Sequence, residues 1–195
     1  MTLKPYMQDN EIELFGKYLL KSSNYIEFGA GGSTIYALEK NIKNIYSIET
    51  DISWINKLKK FKLIKDKLNK KELTIKYLDL ECKWWKHVSW RSSTEFCSKK
   101  NWSLYSKLAN ECTFTPDLIL IDGRFRVASA LESIKIMNDD TFLLIHDYIR
   151  KQYYVVEDFF DKIEGVLTLQ VFKKKKNINM EKLDKVIEKY RLIMD

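Results

Sequence analysis

Cysteine is scarce in this chain of 195 residues, and the three that occur, Cys82, Cys97 and Cys112, form no C-x-x-C pair. An odd, unpaired set argues against a disulfide framework and a structural zinc site, so the thiols are read as reduced. No apolar run approaches the roughly 18 residues of a membrane span, and no basic, apolar, small-residue leader follows Met1. The expectation is a soluble, cytoplasmic protein. Histidine is as rare as proline: His87 and His146 are the only two.

What is abundant is apolar side chain, 45% of the residues, enough for one domain of this length to bury a core. The formal charge of +7 is concentrated at the end, where residues 173–195 hold eight cations against four acids. A lysine-rich solvated surface accounts for that excess, and nucleic acid is the less favoured partner.

Glycine is the informative residue. Glu27-Phe28-Gly29-Ala30-Gly31-Gly32-Ser33-Thr34 lies between a strand-like run, Asn24 to Ile26, and a helix pattern, Ile35 to Lys40. Without a Cβ, glycine takes positive φ and lets a ligand approach its main-chain N–H groups, while the helix that follows offers unpaired donors and a positive dipole end. A dinucleotide turn, G-x-G-x-x-G, would need glycine where Thr34 stands. The run Asn44 to Ile48 ends in Glu49, placed at a second strand tip where a carboxylate can accept both ribose hydroxyls.

The E-x-G-x-G-G-S-T turn with its downstream acid resembles motif I of the class I S-adenosylmethionine-dependent methyltransferases. The resemblance implies that Glu27, Gly29, Gly31, Ser33, Thr34, Glu49 and Asp122 bind S-adenosylmethionine. It also implies that Asp79, after a third strand at Leu73 to Leu78, approaches the adenine, with Trp54 a candidate to lie against the ring.

Further along, Pro116-Asp117 signals a turn before Leu118 to Ile121, a continuous apolar run expected of a strand covered on both faces and ending in Asp122-Gly123. A fifth strand, Thr141 to Ile145, ends in His146-Asp147. One helix is expected from Asp9 or Asn10, one from Ile52 to Leu63, one from Tyr153 to Phe160, and one beyond Asn179. Gly165 is read as a break before a strand from Val166 to Phe172. The alternation predicts a single α/β domain: a doubly wound, mostly parallel, seven-stranded Rossmann-like sheet with helices on both faces and an antiparallel hairpin at its end.

Ligands of such sheets lie outside the carboxyl ends of the strands, where all these polar residues fall. Transfer of a methyl group to a hydroxyl requires a base or a metal to take up the acceptor's proton. Asp122, His146 and Asp147 are the candidate catalytic groups, His146 foremost because its pKa suits a general base. Asp122 and Asp147 are also candidate ligands for Mg²⁺, as the matching acids are in the metal-dependent O-methyltransferases this chain resembles, although Tyr148 stands where those carry a carboxylate or amide.

Asp122 to Val127, with Arg124 and Arg126, resembles a stretch of bacterial and viral glycan methyltransferases and implies a basic pair at the substrate. Between the third and fourth strands, residues 81–115 form an aromatic-rich insertion whose Trp84, Trp85 and Trp90 are candidate sugar-stacking groups in a lid. Residues 173–195 are read as a basic tail and helix that could also support self-association. The expected function is O-methylation of a sugar hydroxyl in a glycan. The alternatives are a phenolic or RNA acceptor and a non-catalytic cofactor-binding module.

Overall fold

The computed structural model describes residues 3–81 and 98–194. Seven strands occur among them: β1 (Asn24–Phe28), β2 (Asn44–Glu49), β3 (Leu73–Tyr77), β4 (Leu118–Ile121), β5 (Phe142–Ile145), β6 (Phe160–Val166) and β7 (Leu169–Lys174). They form one sheet in the order β3-β2-β1-β4-β5-β7-β6, parallel from β3 to β5, with β7 antiparallel to both its neighbours. The strand order reverses between β1 and β4, which opens a crevice at their carboxyl ends.

The described helices are α1 (Asp9–Leu19), α2 (Gly32–Glu39), α3 (Ile52–Leu58), α4 (Lys62–Asn69), α5 (Trp102–Tyr105), α6 (Arg126–Ser133) and α7 (Met180–Tyr190), with 3₁₀ turns at Lys99–Asn101, Ser106–Glu111 and Lys151–Asp158. Side chains alternate across a strand, so β4 feeds two cores. Leu118 and Leu120 pack with Phe15, Leu19, Ile35 and Leu58 from α1 to α3, whereas Ile119 and Ile121 pack with Tyr105, Leu131, Leu183 and Ile187 on the other face. The terminal helix α7 is therefore docked on the body through Leu183 and Ile187.

Two expectations are corrected. The helix expected over Ile52 to Leu63 is two helices, because Leu58 and Ile64 are both fully buried. Six residues of continuous helix would turn them to different sides, and extended Phe61 resets the phase. The helix expected over Tyr153 to Phe160 is a 3₁₀ stretch followed by β6, which runs through Gly165. A Cβ at Gly165 would lie 1.9 Å from Gln170 Oε1, so this glycine permits a close cross-strand approach, and the turn falls at Leu167-Thr168 instead. Asp161, Lys162 and Glu164 gave β6 a polar pattern that suits an edge strand.

The lysine run after β7 is spent largely on the fold: Lys173, Lys174 and Lys175 donate to the carbonyls of Asp139, Met137 and Glu157 at 2.7, 2.7 and 2.6 Å. No helix among the described residues is long and apolar enough to cross a membrane.

Candidate active site

The crevice begins where β1 and β4 end back to back. Gly29 has φ +96°, and its N–H donates to Ile48 O at 2.8 Å. A Cβ on Gly29 would sit 3.0 Å from the Asp122 carbonyl oxygen, and one on Gly123 would sit 2.2 Å from the Tyr105 hydroxyl. These two glycines let the strand tips touch and keep the main chain bare toward a ligand. Gly32 instead admits the Lys4 carbonyl, 1.9 Å from where its Cβ would stand.

Glu27 does not face the crevice. It is 0% exposed, and its carboxylate accepts the hydroxyls of Tyr25 (3.0 Å), Ser33 (2.6 Å), Ser47 (2.5 Å) and Thr34. Thr34 Oγ1 in turn accepts the Gly31 N–H at 2.8 Å. Glu27, Ser33 and Thr34, expected from sequence as direct cofactor ligands, point inward and hold the turn from beneath. Burial raises the Glu27 pKa, opposed by the hydroxyl hydrogen bonds.

At the tip of β2, Glu49 Oε1 accepts the N–H groups of Thr50 (2.6 Å) and Asp51 (2.9 Å), and Oε2 accepts that of Ala30 at 3.2 Å. Trp54 Nε1 donates to Ala30 O at 2.7 Å, so the glycine turn is clamped on both sides of one residue. Burial lifts the Glu49 carboxyl to about 7. Asp79 is exposed beyond β3, with Oδ1 accepting the Glu81 N–H at 2.7 Å.

The opposite end of the crevice carries charge. His146 is 5% exposed; its Nδ1 lies 2.8 Å from Asp122 Oδ1 and its Nε2 lies 3.4 Å from Glu11 Oε2. Burial opposes the imidazolium, but the Asp122 hydrogen bond and the charges of Asp122, Asp147 and Glu11 hold its pKa above the ordinary value. Both ring nitrogens thus face carboxylates, Nδ1 within hydrogen-bond distance of Asp122 and Nε2 farther from Glu11.

Glu11, on the inner face of α1, is the partner that motif reading missed. It is 2% exposed and accepts the Gln8 N–H (2.9 Å), the Thr168 N–H (2.9 Å) and the Thr168 hydroxyl (2.7 Å). Burial would raise its pKa, but these hydrogen bonds and His146 lower it. A sequence signal did exist, since Glu11 falls four residues before buried Phe15, in line with the apolar stripe.

The two arginines separate. Phe125, at φ 52°, starts α6 in the left-handed region and turns Arg126 back over the strand tips. Arg126 donates from Nε to Gly123 O and from Nη1 to His146 O and Asp147 Oδ2, each at 3.1 Å, with Nη2 3.5 Å from Asp122 Oδ1. Arg124 reaches away to Met194 Sδ at 3.0 Å. The expected basic pair at the substrate is thus one arginine between two acids and one beside the end of α7. Asp122, His146 and Asp147 have ligand atoms within 4.8 Å of one another. Trp84, Trp85 and Trp90 lie outside the described residues, as do Cys82 and Cys97.

No protein-family model matches this chain, and no curated protein sequence does. Solved structures do. A methyltransferase-like protein from Silicibacter pomeroyi is 24% identical, with 99% of this chain and 98% of that one covered at a TM-score of 0.71. A Klebsiella pneumoniae protein assigned as an O-methyltransferase is 12% identical over 89% of this chain and 84% of that one, at 0.54. A Staphylococcus aureus protein assigned as a caffeoyl-CoA O-methyltransferase is 11% identical over 88% and 86%, at 0.53. The chain has the Rossmann-like fold of methyltransferases, as its motif implied.

Proposed function

We propose that this protein is an S-adenosylmethionine-dependent O-methyltransferase that acts on a sugar hydroxyl in a glycan, and that it works in the reducing cytoplasm, where Cys112 stays a free thiol. The observation that carries the cofactor reading is the clamp on Ala30, with Glu49 on one side and Trp54 on the other, beside the bare main chain of Gly29 and Gly31. Gly29 and Gly31 would admit the cofactor, Glu49 Oε2 would accept its ribose diol, and Asp79 stands at the adenine end. When bound, the sulfonium supplies an electrophilic methyl carbon and departs as a neutral thioether.

The chain's own task is at the acceptor. An acceptor hydroxyl that took the methyl group would have to give up its proton, and a carboxylate of this chain would receive it. We assign that role to Asp122, whose Oδ1 lies 2.8 Å from His146 Nδ1 and 3.5 Å from Arg126 Nη2 and whose Oδ2 makes no hydrogen bond among the described residues. Of the three candidates read from the sequence, His146 foremost with Asp122 and Asp147 beside it, Asp122 is preferred because both imidazole nitrogens face carboxylates. Asp147, with a side chain 47% exposed, borders the acceptor side.

A divalent cation fits these residues poorly. Mg²⁺ takes octahedral oxygen ligands, whereas the cluster offers a nitrogen already bonded and two carboxylates already paired to Arg126. A sugar acceptor is favoured by the resemblance of Asp122 to Val127 to glycan methyltransferases. The use of Lys173 to Lys175 on main-chain carbonyls weakens an RNA reading.

Labelled methyl transfer to a panel of glycosides tests the assignment. Wild type should label at least one glycoside, and Asp122→Asn should bind S-adenosylhomocysteine by calorimetry while labelling none. Absence of cofactor heat, or an Asp122→Asn variant as active as wild type, would defeat it.

A further inference from the structure

We propose that Arg126 is a resident cation that occupies the divalent-metal position between Asp122 and Asp147, closes that position to metal ions, and makes the acceptor end of the crevice metal-independent. The inference deepens the methyltransferase reading, since it rests on the same crevice.

Asp122 and Asp147 end adjacent parallel strands, β4 and β5, and with His146 they bring three ligand atoms within 4.8 Å of one another. Two carboxylates at that separation repel one another and invite a cation. The guanidinium already answers both, 3.1 Å from Asp147 Oδ2 and 3.5 Å from Asp122 Oδ1.

Its placement is built in. Phe125 in the left-handed region aims the first residue of α6 back across the strand tips. The Gly123 and His146 carbonyls, one from each strand tip, each accept a guanidinium N–H at 3.1 Å. The Arg126 side chain is 11% exposed. A metal ion entering here would strip two carbonyls and the Asp147 carboxylate of their donor and Asp122 of its ion-pair partner at once, and a planar fork with fixed N–H directions meets them together, as a single lysine ammonium would not. The remaining candidate ligand, His146, spends Nδ1 on Asp122 and faces Glu11 with Nε2.

The experiment is a Mn²⁺ titration of the purified full chain, read by the electron paramagnetic resonance signal of the free ion. Wild type should leave the signal of free Mn²⁺ unchanged. Arg126→Gln, which keeps hydrogen-bonding ability but removes the charge, should gain Mn²⁺ binding at least about tenfold tighter than wild type, and adding Asp147→Asn should abolish the gain. If circular dichroism shows the glutamine variant unfolded, Arg126→Met repeats the test with the stem's packing kept.

Mn²⁺ binding by wild type that Asp147→Asn removes would overturn the proposal, and so would a folded, charge-free variant that gains nothing. Calorimetry with S-adenosylhomocysteine on the same samples reports on the cofactor end separately. Its failure would defeat the methyltransferase reading and leave the manganese result standing.

Discussion

Two glutamates, each all but removed from water, meet opposite treatment in this molecule. Glu27, beneath the glycine turn, is surrounded by four neutral hydroxyls, and burial wins, so its pKa is raised. Glu11, behind the acceptor end, receives two main-chain N–H groups and a hydroxyl and faces an imidazole, and its pKa is lowered. Glu27 lies much deeper in the protein, where burial outweighs four hydroxyls, whereas at Glu11 the burial cost is smaller and the main-chain donors and the imidazole outweigh it. The proposed cofactor end of the crevice is shaped by hydroxyls and bare main chain. The proposed acceptor end is shaped by the ionisable groups of Glu11, His146, Asp122, Arg126 and Asp147.

The largest expected effect lies at the charged end. Asp122→Asn should lower kcat about a thousandfold, within the usual range for a general base, with little change in affinity for S-adenosylhomocysteine. An equal loss in both would mean that the two ends are not separable.

Next in size is the neutral end. Glu27→Ala should cost about 3 kcal/mol in urea unfolding, because four hydroxyls lose their acceptor and a cavity opens. The pH dependence should carry the contrast in sign. Glu27 has a native pKa above the ordinary 4.5, so its stabilisation is full below 4.5 and is lost as pH rises through the native value. For Glu11 the native value lies below 4.5, so its contribution is present above 4.5 and is lost as pH falls through the native value. Unfolding free energies of Glu27→Gln and Glu11→Gln, each measured against wild type across pH, should diverge in opposite directions; parallel curves would break the comparison.

A smaller effect sharpens it. Glu11→Gln removes one charge that favours the imidazolium, so the His146 titration, followed by ring-proton NMR, should move to lower pH. Stability from His146 is full below 6.5 and is lost as pH rises through its raised native value, so that loss should begin earlier in the variant. An unchanged His146 titration would show that the 3.4 Å approach carries no coupling. At the floor of the scale, Lys185→Ala breaks an exposed pair with Glu181 and should cost no more than about 0.5 kcal/mol.

Much of this was legible in the sequence. Strand tips announce themselves when an apolar run stops at a carboxylate, as at Glu49 and Asp122, and the glycines mark where two main chains must approach. The missed features are those that local pattern does not encode. Edge strand β6 is largely polar because only part of it is covered. The break between α3 and α4 follows from two burial sites with incompatible helical phase. Arg124 and Arg126 are two residues apart, but left-handed Phe125 between them sends one to each side. Glu11 acts on a histidine 135 positions away, a pairing only the folded sheet creates.

The Thr168 turn closes a loop through the whole molecule. An element from the first twenty residues and a hairpin from the last forty are fastened together by one carboxylate, and that same carboxylate faces the imidazole beside the proposed base. Loss of the Glu11 carboxylate alone, with the buried apolar face of α1 kept, should therefore be felt first as altered acceptor chemistry, before the sheet itself gives way.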